Sequence, residues 1–168
     1  MADCEIVRLT PDEWPLYKQI RLEALKEEPQ AFGSRYEDNL LRPNSFWRSR
    51  LEEAQVGEKS WLLFARVDGR IAGIIGAYCE EENDVVDIIS VYVAKSARGQ
   101  GVGAALMEAI LAEVAKKSLF RKARLMVNAD QAAALGMYRR FGFQVVGEET
   151  NVLGDGKQHM EYVMEKVL

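Results

Sequence analysis

Residues 85–104 have the sequence VVDIISVYVAKSARGQGVGA, which predicts a β-strand over 85–93, a glycine-rich turn and the start of a helix. The turn is Arg98-Gly99-Gln100-Gly101-Val102-Gly103, and Ala104 follows it. The N-terminus of a helix presents unpaired backbone N–H groups and a partial positive charge. Glycines let the backbone come close to a ligand, and Arg98 adds a charged donor. Together these features predict a binding site for a phosphate or pyrophosphate group.

Three simpler interpretations of this turn fit less well. Residues 99–104 match the dinucleotide fingerprint GxGxxA, but that site needs an acidic residue about 20 positions later. Residues 119–121 are instead Leu, Phe and Arg. A P-loop needs Gly-Lys followed by Ser or Thr, which is absent. A merely flexible helix entry leaves unexplained three glycines that would each cost roughly 0.5–1 kcal/mol in a helix.

Apolar periodicity predicts the other elements of the chain. We expect strands over 4–9, 60–67, 71–79, 122–127, 142–148 and 158–167, and helices over 11–28, around 46–54, 103–116 and 131–140. Asp68-Gly69 between two apolar runs predicts a hairpin, and residues 30–43 are expected to be a linking stretch. The element order is β-α-α-β-β-β-α-β-α-β-β. It predicts an α/β (α+β) protein, a single domain over 1–168 around one largely antiparallel sheet.

The composition limits the classes of function. The 168 residues are 48% hydrophobic with a net charge of −4, which favours a soluble protein and argues against a nucleic-acid partner. Two cysteines and one histidine cannot supply a zinc site at the usual spacing, so we expect no metal. A signal peptide and a membrane-length apolar run are both missing from the sequence, which predicts a cytoplasmic protein that does not bind membranes.

Two segments resemble the motifs of a known superfamily. Residues 85–104 are similar to the central motif of the GCN5-related N-acetyltransferases, the GNAT superfamily: a strand, then Arg/Gln-x-x-Gly-x-Gly/Ala, then a helix. Residues 124–143 resemble its second motif, and they match at Ala134, Tyr138, Gly142 and Phe143. The stretch from Arg21 to Ser34 looks like one bacterial branch of the same superfamily. The resemblance implies a sheet of six to seven strands, splayed in its centre and flanked by about four helices.

The resemblance also implies acetyl-CoA as the cofactor. The strand over 85–93 would separate from the strand over 122–127, and the pantetheine arm would bond along its open edge like an added strand. The backbone N–H of Val91 or Tyr92 could polarise the thioester carbonyl. Many members carry Asn seven residues before the motif Tyr, where this chain has Gln131, with Asn128 three residues earlier; either amide could contact the cofactor. The cofactor-binding residues implied are Val91, Tyr92, Val93, Arg98, Gly99, Gln100, Gly101, Val102, Gly103, Ala104, Asn128, Gln131 and Tyr138.

The implied reaction is direct attack of a primary amine on acetyl-CoA in a ternary complex. Tyr138 is the candidate general acid, because a phenol with a reference pKa of about 10 is protonated at neutral pH and can donate to the leaving thiolate. Asp87 is the candidate general base, directly or through water, or equally a solvated strand residue. The alternative to an enzyme is an acyl-CoA-binding module without turnover.

The acceptor stays open at this point. A polyamine, an aminoglycoside-like amine, an amino acid and a protein or peptide amine are all compatible with the sequence, and a homodimer is possible because dimers are common in the superfamily. Glu80–Glu82 could attract a cation or simply be solvated. The segment that covers the acceptor in this superfamily contains Phe32, Arg35, Tyr36 and Trp47, of which we expect Trp47 to belong to the core.

Overall fold

The protein is described by a computed structural model over residues 3–80 and 84–168. Within these residues seven strands form one sheet in the order β1-β2-β3-β4-β5-β7-β6, in which only β4 and β5 are parallel neighbours. The strands are β1 (Cys4–Val7), β2 (Ser60–Val67), β3 (Arg70–Tyr78), β4 (Val85–Val93), β5 (Lys122–Asn128), β6 (Gln144–Val152) and β7 (Gln158–Val167). The helices are α1 (Trp14–Glu27), α2 (Tyr36–Leu40), α3 (Asn44–Val56), α4 (Val102–Ala115) and α5 (Ala132–Arg140).

The predicted mixed, mostly antiparallel sheet of six to seven strands is confirmed, with two local differences. The stretch 30–43 is not only a linker. It contains α2, and its first two residues belong to a short 3₁₀ turn over Pro29–Ala31. The strand predicted over 142–148 begins later and runs on to Val152. β6 is an edge strand that is exposed along almost its whole length, so its sequence lacks the alternation that marks a half-buried strand.

The sheet has a hydrophobic core on each face. Successive side chains of a strand point to opposite faces, and in β2 Leu62 and Phe64 pack towards α1 and α3, while Leu63 and Ala65 pack in the core that contains α4. The hairpin predicted at Asp68-Gly69 joins β2 and β3, and both residues have positive φ. This is the conformation that a tight two-residue hairpin turn requires.

The centre of the sheet is open on one side. β4 and β5 pair only at residues 85–87 with 122–124, after which each strand follows its other neighbour. The register between β3 and β4 shifts opposite Ile75, where β4 contains an extra residue and Ser90 has a φ of 59°. Such a bulge bends a strand and increases its twist. Residues 88–93 of β4 therefore have no strand partner on the side that faces β5.

A segment formed by residues 29–34 lies beside this opening and is held by the turn between β6 and β7. The backbone N–H of Gly154 in that turn donates to the carbonyl of Phe32 at 2.7 Å. A Cβ on Gly154 would lie 2.6 Å from the carbonyl oxygen of Ser34 and 3.0 Å from that of Pro29. Backbone atoms cannot rotate away as a side chain can, so only glycine fits this position.

We predict that Gly154→Ala destabilises the fold by about 1–3 kcal/mol, because the new methyl group overpacks against backbone. Urea unfolding of the purified variant measures the change. Gly33→Ala is the matched control, since a Cβ on Gly33 would meet no atom within 4 Å. Equal free energies of unfolding for the two variants would contradict the close approach of Gly154 to residues 29–34.

Candidate active site

The opening between β4 and β5 contains a cavity of about 330 Å³, here called the β4–α5 groove. One wall is formed by residues 91–93 of β4, and another by residues 131–134 at the start of α5; Glu28, Ala31, Phe32 and Arg98 complete it. Of the predicted cofactor-binding residues, Val91, Tyr92, Val93, Arg98 and Gln131 line the groove. The side chain of Tyr92 packs on the α1 side, where its hydroxyl donates to Glu23 at 2.9 Å, so its backbone is the part that is available to a ligand in the groove.

The glycine-rich turn leads directly into α4. Gly99 and Gly101 have φ values of 75° and 79°, and a Cβ on either would meet no atom within 4 Å. Glycine is therefore required there by backbone conformation and not by packing. In the part of the chain that the structure describes, the backbone N–H groups of residues 99–104 donate no hydrogen bond. These free donors lie at the positive end of the α4 dipole, which is the arrangement that binds phosphate groups.

Gly103 has a different role from the two glycines before it. A Cβ at this position would lie 3.2 Å from the sulfur of Met137 on α5. The absence of a side chain at Gly103 leaves room for the Met137 side chain of α5.

Arg98 lies at the boundary between the turn and the groove. Its Nε donates to the carbonyl of Val93 at 2.9 Å, and one Nη donates to Glu28 at 2.8 Å. The side chain is 44% exposed. The cation is thus held at the C-terminal end of β4 by two protein contacts and still reaches solvent.

The two candidate amides differ in their contacts. Asn128 is buried, its Nδ2 donates to the carbonyl of Gln30 at 2.9 Å, and its Oδ1 accepts the backbone N–H of Asp130 at 2.9 Å. The side chain of Gln131 has no hydrogen bond within the described residues and lines the groove. The asparagine fixes local structure, and the glutamine amide is free to meet a ligand.

Tyr138 lies on α5 and is 6% exposed. Its ring packs edge-to-face against Phe143 at 6.2 Å, and its hydroxyl makes no hydrogen bond to the described residues. Burial raises the pKa of Tyr138 above its usual value, so the phenol is protonated throughout the neutral range. The side chain is not among those that line the groove.

A second cavity, of about 660 Å³ and here called the arginine-lined cavity, shares Ala31 and Phe32 with the groove. Asp87 lines it, and both carboxylate oxygens accept hydrogen bonds from Arg124, at 2.8 and 3.1 Å. The pairing with Asp87 raises the pKa of Arg124. The predicted base is therefore already engaged by a cation.

Glu161 on β7 is a second carboxylate in this cavity, and the sequence analysis did not identify it. It is 7% exposed, and one oxygen accepts the Nδ2 of Asn151 at 3.1 Å. The sequence shows Glu161 as one of several charged and polar residues of β7. It does not show that this side chain points inwards.

The arginine-lined cavity takes its name from Arg21, Arg42 and Arg50. Three buried nitrogen atoms here have no hydrogen-bond partner among the described residues: Nη1 of Arg21, Nε of Arg50 and Nε1 of Trp47. The Arg21 guanidinium lies 5.0 Å from the centre of the Phe32 ring. Burial lowers the pKa of Arg21, and the nearby Arg50 cation adds to this effect.

The structure distinguishes among the other residues named from the sequence. Trp47 is fully buried, as expected, and Phe32 lines both cavities, whereas Arg35 and Tyr36 line neither. Glu81 and Glu82 lie outside the described residues. Across residues 3–80 and 84–168 no cluster of three His, Cys, Asp or Glu could hold a metal ion, and no helix is long and apolar enough to cross a membrane.

The comparison with protein families agrees with this geometry. The family model described as acetyltransferase (GNAT) domain matches residues 24–166. The chain belongs to the GNAT family. The splayed sheet, the glycine-rich turn before α4 and the groove beside α5 are thus features of a GNAT domain.

Two curated proteins are similar to part of the chain. It is 31% identical over 92 residues to an uncharacterised N-acetyltransferase of Methanocaldococcus jannaschii, which is 52% of this chain and 40% of that one. It is 30% identical over 105 residues to the N-acetylaspartate synthetase of Xenopus tropicalis, covering 62% of this chain and 38% of that one. The chain thus spans well under half the length of these curated relatives. A putative acetyltransferase from Salmonella typhimurium, solved with its cofactor acetyl-CoA, has the same fold, with a TM-score of 0.82, 17% identity and coverage of 99% and 94%.

We predict that Asn128→Ala lowers the free energy of unfolding by about 1–3 kcal/mol, because the carbonyl of Gln30 and the N–H of Asp130 lose their partly buried partner. Gln131→Ala removes a side chain without such contacts and should change stability by less than about 0.5 kcal/mol. Urea unfolding of both variants checks the difference. A destabilisation of equal size in the two would contradict the separate roles of these amides.

Proposed function

We propose that the protein is an N-acetyltransferase that transfers the acetyl group of acetyl-CoA to a primary amine. The observation that carries the proposal is the unpaired edge of β4 directly before a helix whose first N–H groups have no partner. This edge and these donors suit the two parts of coenzyme A, an amide-containing arm and a pyrophosphate. The acetyl-CoA bound to the Salmonella protein and the names of the two relatives support the same activity.

The donor would bind across the opening of the sheet. Residues 99–104 supply backbone N–H groups to the pyrophosphate and Arg98 adds a positive charge. The pantetheine amides pair with the backbone of Val91 and Val93, which extends the sheet by one strand. Gln131 contacts this arm from α5, because its amide is free where that of Asn128 is not.

The chemistry requires a neutral amine, a polarised carbonyl and a protonated leaving group. The amine nitrogen attacks the thioester carbon, and the oxyanion that forms is stabilised by a backbone N–H of Val91 or Tyr92. Collapse of the tetrahedral intermediate breaks the C–S bond, and Tyr138 donates its proton to the departing thiolate. The proton that the nitrogen loses as the amide forms passes, directly or through water, to the phenolate and restores the phenol. The buried phenol is protonated at neutral pH, as this role needs.

Two carboxylates in the arginine-lined cavity can accept the proton of an incoming ammonium. Asp87 is the base that the resemblance implies, but an ammonium group must compete with Arg124 for both of its oxygens. Glu161 offers a carboxylate whose observed partner is the neutral amide of Asn151. The proposal includes either residue acting directly or through water.

A cytoplasmic location and a homodimer belong to the same proposal. The edge strand β6 exposes the apolar side chains of Val146 and Val152, with 56% and 58% of their surface accessible. Pairing of two such edges is one way to cover them. Sedimentation at micromolar concentration tests the dimer directly.

The alternative function is an acyl-CoA-binding module without turnover. Thiol release from acetyl-CoA, measured against a panel of amines, separates the two. Binding of acetyl-CoA with no thiol release on any amine would favour the binding module. Continuous release that depends on the amine would establish the transferase.

We predict that Tyr138→Phe lowers kcat by about 100-fold or more, since the thiolate then leaves without a proton donor, and leaves the Kd for acetyl-CoA nearly unchanged. Tyr162→Phe on β7 removes a hydroxyl elsewhere in the chain and serves as the control. Steady-state thiol release and calorimetric titration with acetyl-CoA give the two quantities. Unchanged turnover in Tyr138→Phe would remove the proposed role.

The pH–rate profile shows whether Asp87 or Glu161 is the general base. Loss of the general base is expected to abolish the acidic limb of the kcat/KM profile and to lower the rate by about 100-fold or more. Asp87→Asn and Glu161→Gln are therefore compared with the wild type over pH 5–10. A profile that one variant leaves identical to that of the wild type excludes that carboxylate as the base.

A further inference from the structure

We infer that the acceptor is a small zwitterionic amine, such as an amino acid, whose carboxylate binds Arg21 and Arg50 in the arginine-lined cavity. The inference rests on the proposed function, and it specifies the substrate class that the sequence left open. It depends on the contacts of two guanidinium groups and on the other charges that line the same cavity.

Two guanidinium groups of this cavity lack partners at buried atoms. Nη1 of Arg21 and Nε of Arg50 are inaccessible to solvent and make no hydrogen bond. Buried polar atoms are nearly always paired in native proteins, and an unpaired one is a site that a ligand or ion can complete. Both residues also line one cavity, so a single ligand there can meet both side chains.

Several arginines of the chain are paired with carboxylates. The described ion pairs include Arg8 with Glu113, Arg48 with Asp12, Arg98 with Glu28 and Arg124 with Asp87. Arg21 and Arg50 form no ion pair within residues 3–80 and 84–168. Within the described residues the arginine-lined cavity thus contains two partly buried guanidiniums without a carboxylate partner, which the carboxylate of a ligand can supply.

The charges that line the cavity select the acceptor. Three arginines come from α1, α3 and the connection before α3, while the carboxylates Asp87 and Glu161 come from β4 and β7. Arg124 already neutralises Asp87, which leaves a surplus of positive charge. A polyamine or an aminoglycoside-like amine would place further cations beside these guanidiniums, and such like-charge contacts are unfavourable.

A carboxylate suits this arrangement in geometry as well as in charge. Planar guanidiniums bind carboxylates through two parallel hydrogen bonds. The ring of Phe32 lies under Arg21 and also lines the β4–α5 groove, so the anion-binding end of the cavity is adjacent to the proposed donor site. The volume of about 660 Å³ is that of a small-molecule pocket.

The test compares each of the twenty L-amino acids with its carboxamide as acceptor in the thiol-release assay. Wild type should prefer the acid to the amide by roughly 10- to 100-fold in kcat/KM, as expected for a charge-assisted hydrogen bond. In Arg21→Gln and Arg50→Gln we expect the preference to fall towards one. Arg48→Gln, on the same helix as Arg50 but paired with Asp12, is the control that keeps the preference.

Thermal unfolding of the same proteins keeps this result separate from the proposed function. If no amine is acetylated, but an amino acid raises the Tm of wild type and not of Arg21→Gln, the carboxylate-binding site at Arg21 stands, while the transferase proposal and the acceptor role fail together. Amides that are acetylated as well as acids would overturn the inference and leave the transferase proposal intact. Neither turnover nor a Tm shift with any amino acid would also overturn it. Circular dichroism confirms that the variants are folded.

Discussion

The separation of β4 from β5 is the constraint on which the rest of the site depends. The two strands share only three residue pairs, while β5 pairs with β7 along all of its length and β4 follows β3 to Val93. β4 and β5 diverge because each continues along its own antiparallel neighbour, β3 or β7. The bulge at Ser90 adds to the twist of β4. The exposed backbone of β4 needs hydrogen-bond partners. At the end of β4 the carbonyl of Val93 accepts a hydrogen bond from Nε of Arg98.

The segment of residues 29–34 covers one side of the opening between β4 and β5. Asn128 at the end of β5 bonds to the carbonyl of Gln30, and Gly154 in the turn between β6 and β7 bonds to that of Phe32. Parts of the chain that are about 100 residues apart in sequence therefore hold a common wall between the groove and the arginine-lined cavity. Because Phe32 faces both spaces, the position of this wall sets how a donor and an acceptor would meet.

The backbone part of the site could be predicted from the sequence, together with Arg98 and Gln131 of the groove, whereas the arginines and Glu161 of the arginine-lined cavity could not. Gly99 and Gly101 could be recognised because glycine is the residue that readily adopts their positive φ. The strand before them and the helix after them could be recognised from the spacing of their apolar residues. Seven strands and the hairpin at Asp68-Gly69 followed from similar local signals. The helix α2 and the extension of β6 did not, because an exposed element has no burial pattern to mark it.

The same distinction explains why the sequence named Asp87 but missed its context. The partner of Asp87 is Arg124 on the neighbouring parallel strand, 37 residues away, and Glu161 enters the same cavity from β7. Pairings of this kind depend on the order of strands in the sheet, which one sequence does not contain. The resemblance to GNAT motifs suggested the proposed roles of Tyr138 and of residues 98–104, but these motifs concern the acetyl donor and not the acceptor.

The unpaired arginines are best understood as a compromise between stability and binding. Each buried donor without a partner costs about 1–3 kcal/mol, and a native domain is stable by only about 5–15 kcal/mol in total. Arg8 and Arg48 have carboxylate partners, whereas Arg21 and Arg50 each keep one buried N–H without an acceptor in the described residues. Local violations of this kind are expected where a protein binds a ligand. The proposed donor site consists largely of backbone groups, so under this proposal the identity of the acceptor depends on the side chains of the arginine-lined cavity.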